Sequence, residues 1–274
     1  KKMSLITITT GIGCGGIATA RRVAQELGVV LYDDDRLQEE AVDMGFSSED
    51  MKSFEQKAPG ILTRLLRLRP AEYLELMAAA VYEVARRGEG IICGNGAPYF
   101  LRNFGCALHL RIHASETYRI ERLMKREKIS DEEAKKLIEK EDSDLKGFMQ
   151  FSFQMDWNDI SLYDAIINVD KIGLDSAAAQ IIAMAKTRQI QECSLSALEA
   201  MEKLSLLKRV EAAILKNNIN PQELVFEVPE TGVVKMTGLI NPMRTIGGVL
   251  EIVRAVPGVK EVVCEAERHP LAKI

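Results

Sequence analysis

Residues 5–20, LITITTGIGCGGIATA, constrain this chain more than any other stretch, because they pass from a strand to a helix through closely spaced glycines. The glycines are Gly11, Gly13, Gly15 and Gly16. A strand that turns through glycines into a helix directs several backbone N–H groups and the positive helix end at one point. The segment therefore predicts a site for an anion, typically phosphate. The alternative is a tight turn that binds nothing.

The same loop departs from the phosphate-binding signature G-x-x-x-x-G-K-[ST], which supplies a Lys for the β/γ-phosphates and a hydroxyl for Mg²⁺. When its last Gly-x-Gly is placed on residues 13–15, the Lys position falls on Gly16 and the hydroxyl position on Ile17. Both chemical groups are missing. The residues predicted to hold the ligand are Gly11, Gly13, Cys14, Gly15, Gly16, Ile17 and Ala18.

Composition limits the classes of protein to which the chain can belong. A length of 274 residues allows two domains, and a net charge of −4 argues against nucleic-acid binding. No apolar run approaches the roughly 20 residues of a membrane span, and the first residues lack a signal-peptide core. Five cysteines without C-x-x-C spacing predict reduced thiols and no metal site. Together these features predict a cytoplasmic protein.

The first two-thirds of the chain alternates strand-like and helix-like segments, which predicts a parallel sheet flanked by helices. Ligands of such sheets bind beyond the carboxyl ends of the strands. The glycine loop, residues 33–35 and residues 94–96 all follow predicted strands. Asp34 and its two acidic neighbours are therefore predicted either to cap the next helix or to face a ligand or magnesium.

Two helices have predicted starts, and one of them carries a set of arginines. Ser115 is the expected cap of one helix, and Ser130 with Glu133 forms a capping box for the next. Within the first of these helices, cations stand at i, i+3 and i+7 and so share one face. These residues are Arg119, Arg122 and Arg126. The alternative is a solvated face on which the arginines pair with Glu116, Glu121 and Glu127.

The pattern changes after residue 187. Residues 188–202 are predicted to form a helical connector, and residues 203–274 contain one helix, two strands, a second helix and a third strand. This α-β-β-α-β order has its own alternating apolar pattern. The sequence therefore predicts a larger α/β domain over residues 1–187 and a small C-terminal domain over residues 203–274.

Residues 4–187 resemble the cytidylate kinase-like family, a branch of the P-loop nucleoside monophosphate kinases. The resemblance rests on ITITTGIGCGGIATARRVAQELG, YDDDRL, IICGNGAPYFLRN, LHLRIHASETYRIERLMKREKISDEEAKKLIEKED and DWNDISLYDAIINVD, in that order. It implies a P-loop kinase-like sheet and phosphoryl transfer from ATP, with Mg²⁺ as a further cofactor, to CMP or dCMP. It also implies that the glycine loop holds the ATP phosphates, that Asp34 faces the monophosphate or magnesium, and that the three arginines cover the transferring group.

Several positions depart from the family pattern. Ile17 stands where relatives often carry an Arg, residues 94–97 read GNGA where G-R-G-A is common, and only Lys146 follows Asp142 in the lid. Removal of one cation that stabilises the transition state typically costs a factor of about 10²–10³ in rate. The alternatives to an active kinase are therefore an inactive nucleotide sensor and an interaction protein without a nucleotide site.

Residues 203–267 resemble a BON domain, chiefly through GVVKMTGLI and VPGVKEVV. The resemblance implies an unidentified ligand or protein partner for this domain. In the sensor hypothesis the domain transmits the signal. Its open sheet edge also allows a homo-oligomer.

Overall fold

The computed structural model describes residues 4–44, 70–94, 96–192, 194–220, 223–240 and 245–268. Asn95, within the GNGA segment, lies outside the described residues. The first part of the chain folds around five parallel strands in the order β2-β3-β1-β4-β5. The strands are β1 Ser4–Thr10, β2 Leu31–Tyr32, β3 Glu89–Cys93, β4 Ala107–His113 and β5 Ala165–Asn168. The predicted parallel α/β sheet is thereby confirmed.

Eight helices of the described residues accompany this sheet. They are α1 Gly16–Leu27, α2 Asp34–Asp43, α3 Pro70–Arg87, α4 Ala97–Phe100, α5 Glu116–Glu127, α6 Asp131–Phe153, α7 Val169–Ala185 and α8 Arg188–Gln191. A short 3-10 turn, Ile160–Leu162, precedes β5. Helix α7 is kinked at Gly173, whose φ of 73° lies in the left-handed region.

Strand β1 lies at the centre of the sheet and is covered on both faces. Its side chains alternate between the faces, so that Leu5 joins a core with α2 and α3 while Ile6 and Ile8 join a core with α1 and α7. All three side chains are fully buried. The carboxyl end of β1 is consequently held in place from both sides, and the glycine loop begins there.

The C-terminal region forms a second, smaller sheet. It contains α9 Leu195–Lys216, β6 Leu224–Glu230, β7 Val233–Ile240, α10 Ile246–Arg254, β8 Glu261–Cys264 and β9 Glu267–Arg268. Strand β6 pairs antiparallel with β7, and both β8 and β9 pair parallel with β7. The predicted order of helices and strands is confirmed, with β9 as an additional short strand.

Helix α9 runs without interruption across the predicted boundary between residues 202 and 203. Met201 and Ala212 are buried in the core that α3 shares with the parallel sheet, whereas Val210 and Ile214 are buried in the core of the smaller sheet. One helix thus contributes to two cores. The position of the domain boundary stays a prediction.

The cysteines of the described residues test the prediction of reduced thiols. Cys14, Cys93 and Cys264 are free, as expected, but Cys106 is disulfide-bonded. The prediction of reduced thiols is therefore wrong at Cys106.

Over the described part of the chain, no helix combines the length and the apolar character needed to cross a membrane.

Candidate functional site

The glycine loop forms a tight turn between β1 and α1. The Cys14 N–H donates to the carbonyl of Gly11 at 3.2 Å. Gly13 and Gly15 have φ angles of 83° and 84°, in the left-handed region that residues with a Cβ rarely adopt. The Thr19 N–H and hydroxyl both donate to the Gly15 carbonyl, at 3.0 and 3.1 Å, and so begin the helix. The glycines at these two positions are required by the turn itself.

The first turn of α1 leaves its backbone donors open. The helix has no side-chain cap and no acidic residue in its first turn. Among the described residues, no acceptor receives the backbone N–H groups of Gly16, Ile17 and Ala18. Helix starts normally satisfy such groups with side chains, water or ligands. These open donors leave room for an anion, and the anion site at this loop stays a prediction.

The Thr10 side chain fills the space beside Gly16. A Cβ added to Gly16 would lie 2.5 Å from the Cβ of Thr10, far inside van der Waals contact. The Thr10 side chain thus occupies the room that a longer residue at position 16 would need. A lysine at position 16 would therefore require the Thr10 side chain to move.

Arg119 ties the loop to helix α6. Its Nε donates to the carbonyl of Ile12 at 2.7 Å, and its two Nη atoms donate to the two carboxylate oxygens of Asp142, each at 2.7 Å. The side chain is buried. Asp142 was missed by sequence reasoning, because no spacing or motif connects two residues on different helices. Three donor directions of Arg119 are already used within the protein, so this residue positions the loop.

Arg122 is the unpaired cation at the loop. Its Cζ lies 3.3 Å from the position that a Cβ on Gly15 would take. Its Nε is buried without a hydrogen-bond partner, and no carboxylate of the described residues forms an ion pair with it. A guanidinium beside open amides, without an acid to neutralise it, is the arrangement that binds phosphate.

The third predicted arginine lies in different surroundings. Arg126 is exposed, and its Nε donates to Glu127 at 2.6 Å. This contact corresponds to the alternative in which the arginines pair with neighbouring glutamates. The structure thus brings Arg119 and Arg122 to the loop, and places Arg126 in a surface ion pair.

In the acidic segment after β2, Asp33 caps a helix, whereas Asp34 lies at the sheet edge where a ligand is predicted. Asp33 caps α2, because its carboxylate accepts the backbone N–H of Arg36 at 3.1 Å. Asp34 lies in the first turn of the helix, and its Oδ1 is 3.1 Å from the position of a Cβ on Gly94. Asp34 is therefore beside the residue that follows β3, at the same sheet edge as the loop.

Cys14 lies inside the loop but is shielded from solvent. The residue is 2% exposed, and burial raises the pKa of its thiol above the ordinary value. The thiol therefore stays protonated at neutral pH. Cys14 contributes to the loop through its backbone.

The donor groups of the loop fit a phosphate but do not fit the magnesium position of the signature. Ile17 has no oxygen on its side chain, and the Thr19 hydroxyl is already bonded to Gly15. Within the described ranges, no group of three or more His, Cys, Asp or Glu side chains could hold a metal ion. The residues at this position therefore do not fit a magnesium ion held as in the signature.

Comparisons with known proteins match the N-terminal part of the chain, which contains the glycine loop. The model of the cytidylate kinase-like family matches residues 5–171. A cytidylate kinase from Pyrococcus horikoshii is 28% identical over 173 residues, which cover 62% of this chain and 82% of the relative. A cytidylate kinase from Methanocaldococcus jannaschii is 35% identical over 92 residues, which cover 32% of this chain and 51% of that protein.

A solved structure has a similar fold. The crystal structure of an uncharacterized protein from Eubacterium ventriosum superposes with a TM-score of 0.53 at 22% identity. The superposition covers 67% of this chain and 99% of the other. At this level of identity the likeness concerns the fold alone.

Proposed function

The chain belongs to the cytidylate kinase-like family, and we propose that its glycine loop binds the phosphates of a nucleotide without supporting rapid phosphoryl transfer. One observation carries this proposal. Three open backbone amides at the start of α1 lie beside the unpaired guanidinium of Arg122. The reaction implied by the family is transfer from ATP to CMP or dCMP, so these nucleotides are the ligands we expect.

The same geometry disfavours rapid transfer. Position 16 has no cation and no room for one beside Thr10, and Arg119 is engaged by Asp142. Phosphoryl transfer depends on cations that neutralise charge spread over the phosphoryl oxygens. Arg122 is then the cation best placed to contact the phosphate. Binding needs fewer such contacts than turnover, and the loop retains enough of them for binding.

Thermal shift measurements with CMP, dCMP and ATP, each with and without Mg²⁺, test the binding step. We expect at least one nucleotide to raise the melting temperature. Replacement of Arg122 by Gln should weaken nucleotide affinity about tenfold, since a charge-assisted contact contributes at least about 1.4 kcal/mol. Arg126→Gln is the matched control and should leave affinity unchanged. No stabilisation by any nucleotide would favour the interaction-protein alternative.

A coupled assay of ADP release from ATP in the presence of CMP or dCMP tests the turnover step. The lost cation at position 16 alone predicts a rate about 10²–10³ lower than that of a cytidylate kinase with the full signature. A rate equal to that of a complete kinase would overturn the second half of the proposal and leave the first half intact.

A second candidate function is a nucleotide sensor that signals through the C-terminal domain, which resembles a BON domain. The observation that favours it is helix α9, which is buried in both cores. Hydrogen exchange of the backbone amides in β6–β8, with and without a bound nucleotide, tests this function. Unchanged exchange in the presence of a stabilising nucleotide would exclude it.

A further inference from the structure

A cavity of about 370 Å³ lies where the larger domain meets helix α9. Its walls come from α3, α4 and the turn after it, the carboxyl end of α6, and Lys208 on α9. Neither Arg122 nor any residue of the glycine loop lines it. The volume falls within the range of about 300–1,000 Å³ that is typical of small-molecule sites.

Aromatic rings form much of the wall. Tyr99 and Phe153 are stacked, with ring centroids 4.9 Å apart and an interplanar angle of 16°. Phe100 meets Phe153 edge-on at 5.1 Å, and Tyr82 meets Phe100 edge-on at 6.3 Å. These four rings contact one another in series, and all four line the cavity. Such a wall favours a flat ligand that offers a π-face or an aromatic edge.

One cation of the wall, Arg102, is not neutralised by an ion pair with a described residue. Lys208 pairs with Glu75 at 2.7 Å, and with Glu211, which lies outside the cavity wall, also at 2.7 Å. Arg102 is exposed at the rim and forms no ion pair with a described residue; its Nη1 contacts only the sulfur of Met155, at 3.8 Å. The cavity therefore offers a cation to an incoming anion.

One hydroxyl in the wall lacks a partner. The Oγ of Ser152 is buried and has no hydrogen-bond partner in the protein. Buried polar side-chain atoms are rarely left unpaired, because each unpaired group costs free energy. A polar atom on a bound ligand would supply the missing bond.

From this combination of rings, cation and unpaired hydroxyl, we propose that the cavity binds a small planar aromatic anion. The site is separate from the glycine loop, so the proposal goes beyond the nucleotide function given above. A ligand there touches α3 and Lys208 together, and Lys208 belongs to the helix that enters the second core. Occupancy of the cavity thus acts directly on the contact between the two domains.

Energy transfer from tryptophan to 8-anilino-1-naphthalenesulfonate tests the proposal on the full chain. Trp157 is the only tryptophan and is buried in the same cluster as Tyr99 and Phe153. The probe carries a planar naphthalene ring with a sulfonate, and N-phenyl-1-naphthylamine is its uncharged counterpart with the same rings. We expect both probes to bind near Trp157 and to quench its emission.

Single substitutions test whether the two probes bind in the cavity. Arg102→Glu should weaken binding of the sulfonate probe about tenfold or more, by replacing attraction with repulsion, and should leave the uncharged probe unaffected. Arg254→Glu, at another exposed arginine, on α10, is the matched control. Ser152→Leu, which fills the cavity, should weaken both probes, with the melting temperature measured to verify folding.

Two results would overturn the proposal. One is equal affinity of the sulfonate probe for the Arg102 and Arg254 variants. The other is competitive displacement of the probe by CMP or ATP, which would assign the cavity to the nucleotide site. Neither result depends on Arg122→Gln, so a failure of this proposal is distinguishable from a failure of the loop proposal.

Discussion

Helices α1 and α6 begin in opposite ways, although both lie in the same domain. At α6 the Ser130 hydroxyl accepts the Glu133 N–H at 3.3 Å, and the Glu133 carboxylate accepts the Ser130 N–H at 2.8 Å. At α1 no side chain caps the helix, and its first amides have no described protein partner. The start of α6 is completed by its own residues. The start of α1 is supported from outside, by Arg119 on α5, and its amides stay open to a ligand.

The largest effect should come from removal of that outside support. Arg119→Met leaves the Ile12 carbonyl and the Asp142 carboxylate without their donor and should lower the free energy of unfolding by about 3–5 kcal/mol. Urea unfolding measures the change. The exposed Arg126→Met should cost no more than about 0.5 kcal/mol. Equal costs for the two variants would mean that α1 does not depend on the contact with α5.

A smaller loss is expected when a lysine is placed at position 16. The new Cβ of Gly16→Lys would meet Thr10 at 2.5 Å, and such overpacking costs about 1–3 kcal/mol. Thr10→Gly in the same chain should recover most of that loss, because it removes the obstructing atoms. Ile17→Ser at the neighbouring position is the control and should unfold like the parent protein. If the single lysine variant is as stable as the parent, Thr10 does not block the position.

Removal of the cap at the start of α6 should lower stability by less than the two changes above. Ser130→Ala removes the hydroxyl that caps the helix and should lower the free energy of unfolding by about 1 kcal/mol. Thr117→Ala, an exposed change in the first turn of α5, should alter stability by less than about 0.5 kcal/mol. Nucleotide affinity should be the same in both variants, since neither residue contacts the glycine loop.

The smallest effect concerns pH. The backbone N–H and hydroxyl of Ser130 hold the pKa of Glu133 below its ordinary value of 4.5. A carboxyl with a lowered folded pKa stabilises the protein above its unfolded pKa, and this contribution is lost as the pH falls through the folded value. The stability difference between the parent protein and Glu133→Gln should therefore be present at neutral pH and close under acidic conditions. A constant difference across this range would show that the carboxylate charge is not involved.

The sequence predicts the features that depend on neighbouring residues. The strand-loop-helix of the glycine segment, the Ser115 cap with its 3.3 Å bond to the Tyr118 N–H, and the capping box all have local signals, and the structure contains each of them. The parallel sheet follows from the alternation of these elements. The predicted open anion site also follows from local chemistry, since glycines cannot cap a helix with side chains.

Features that depend on distant residues were not predictable. The side chain that fills the space beside Gly16 comes from β1, and the carboxylate that holds Arg119 comes from α6, 23 residues along the chain. No periodicity or motif in the sequence indicates which faces of two helices will pack against each other. The continuity of α9 from Leu195 to Lys216, through the predicted helical connector at residues 188–202 and beyond it, is likewise set by packing against two cores, and the domain boundary itself stays a prediction.

The continuity of α9 has a consequence for how the protein is made. The last strand of the parallel sheet, β5, is synthesised before Met201 and Ala212, which belong to the core beside α3. Until these two residues have been added, their share of that core is missing. The core beside α3 is therefore completed only after most of α9, Leu195–Lys216, has been synthesised.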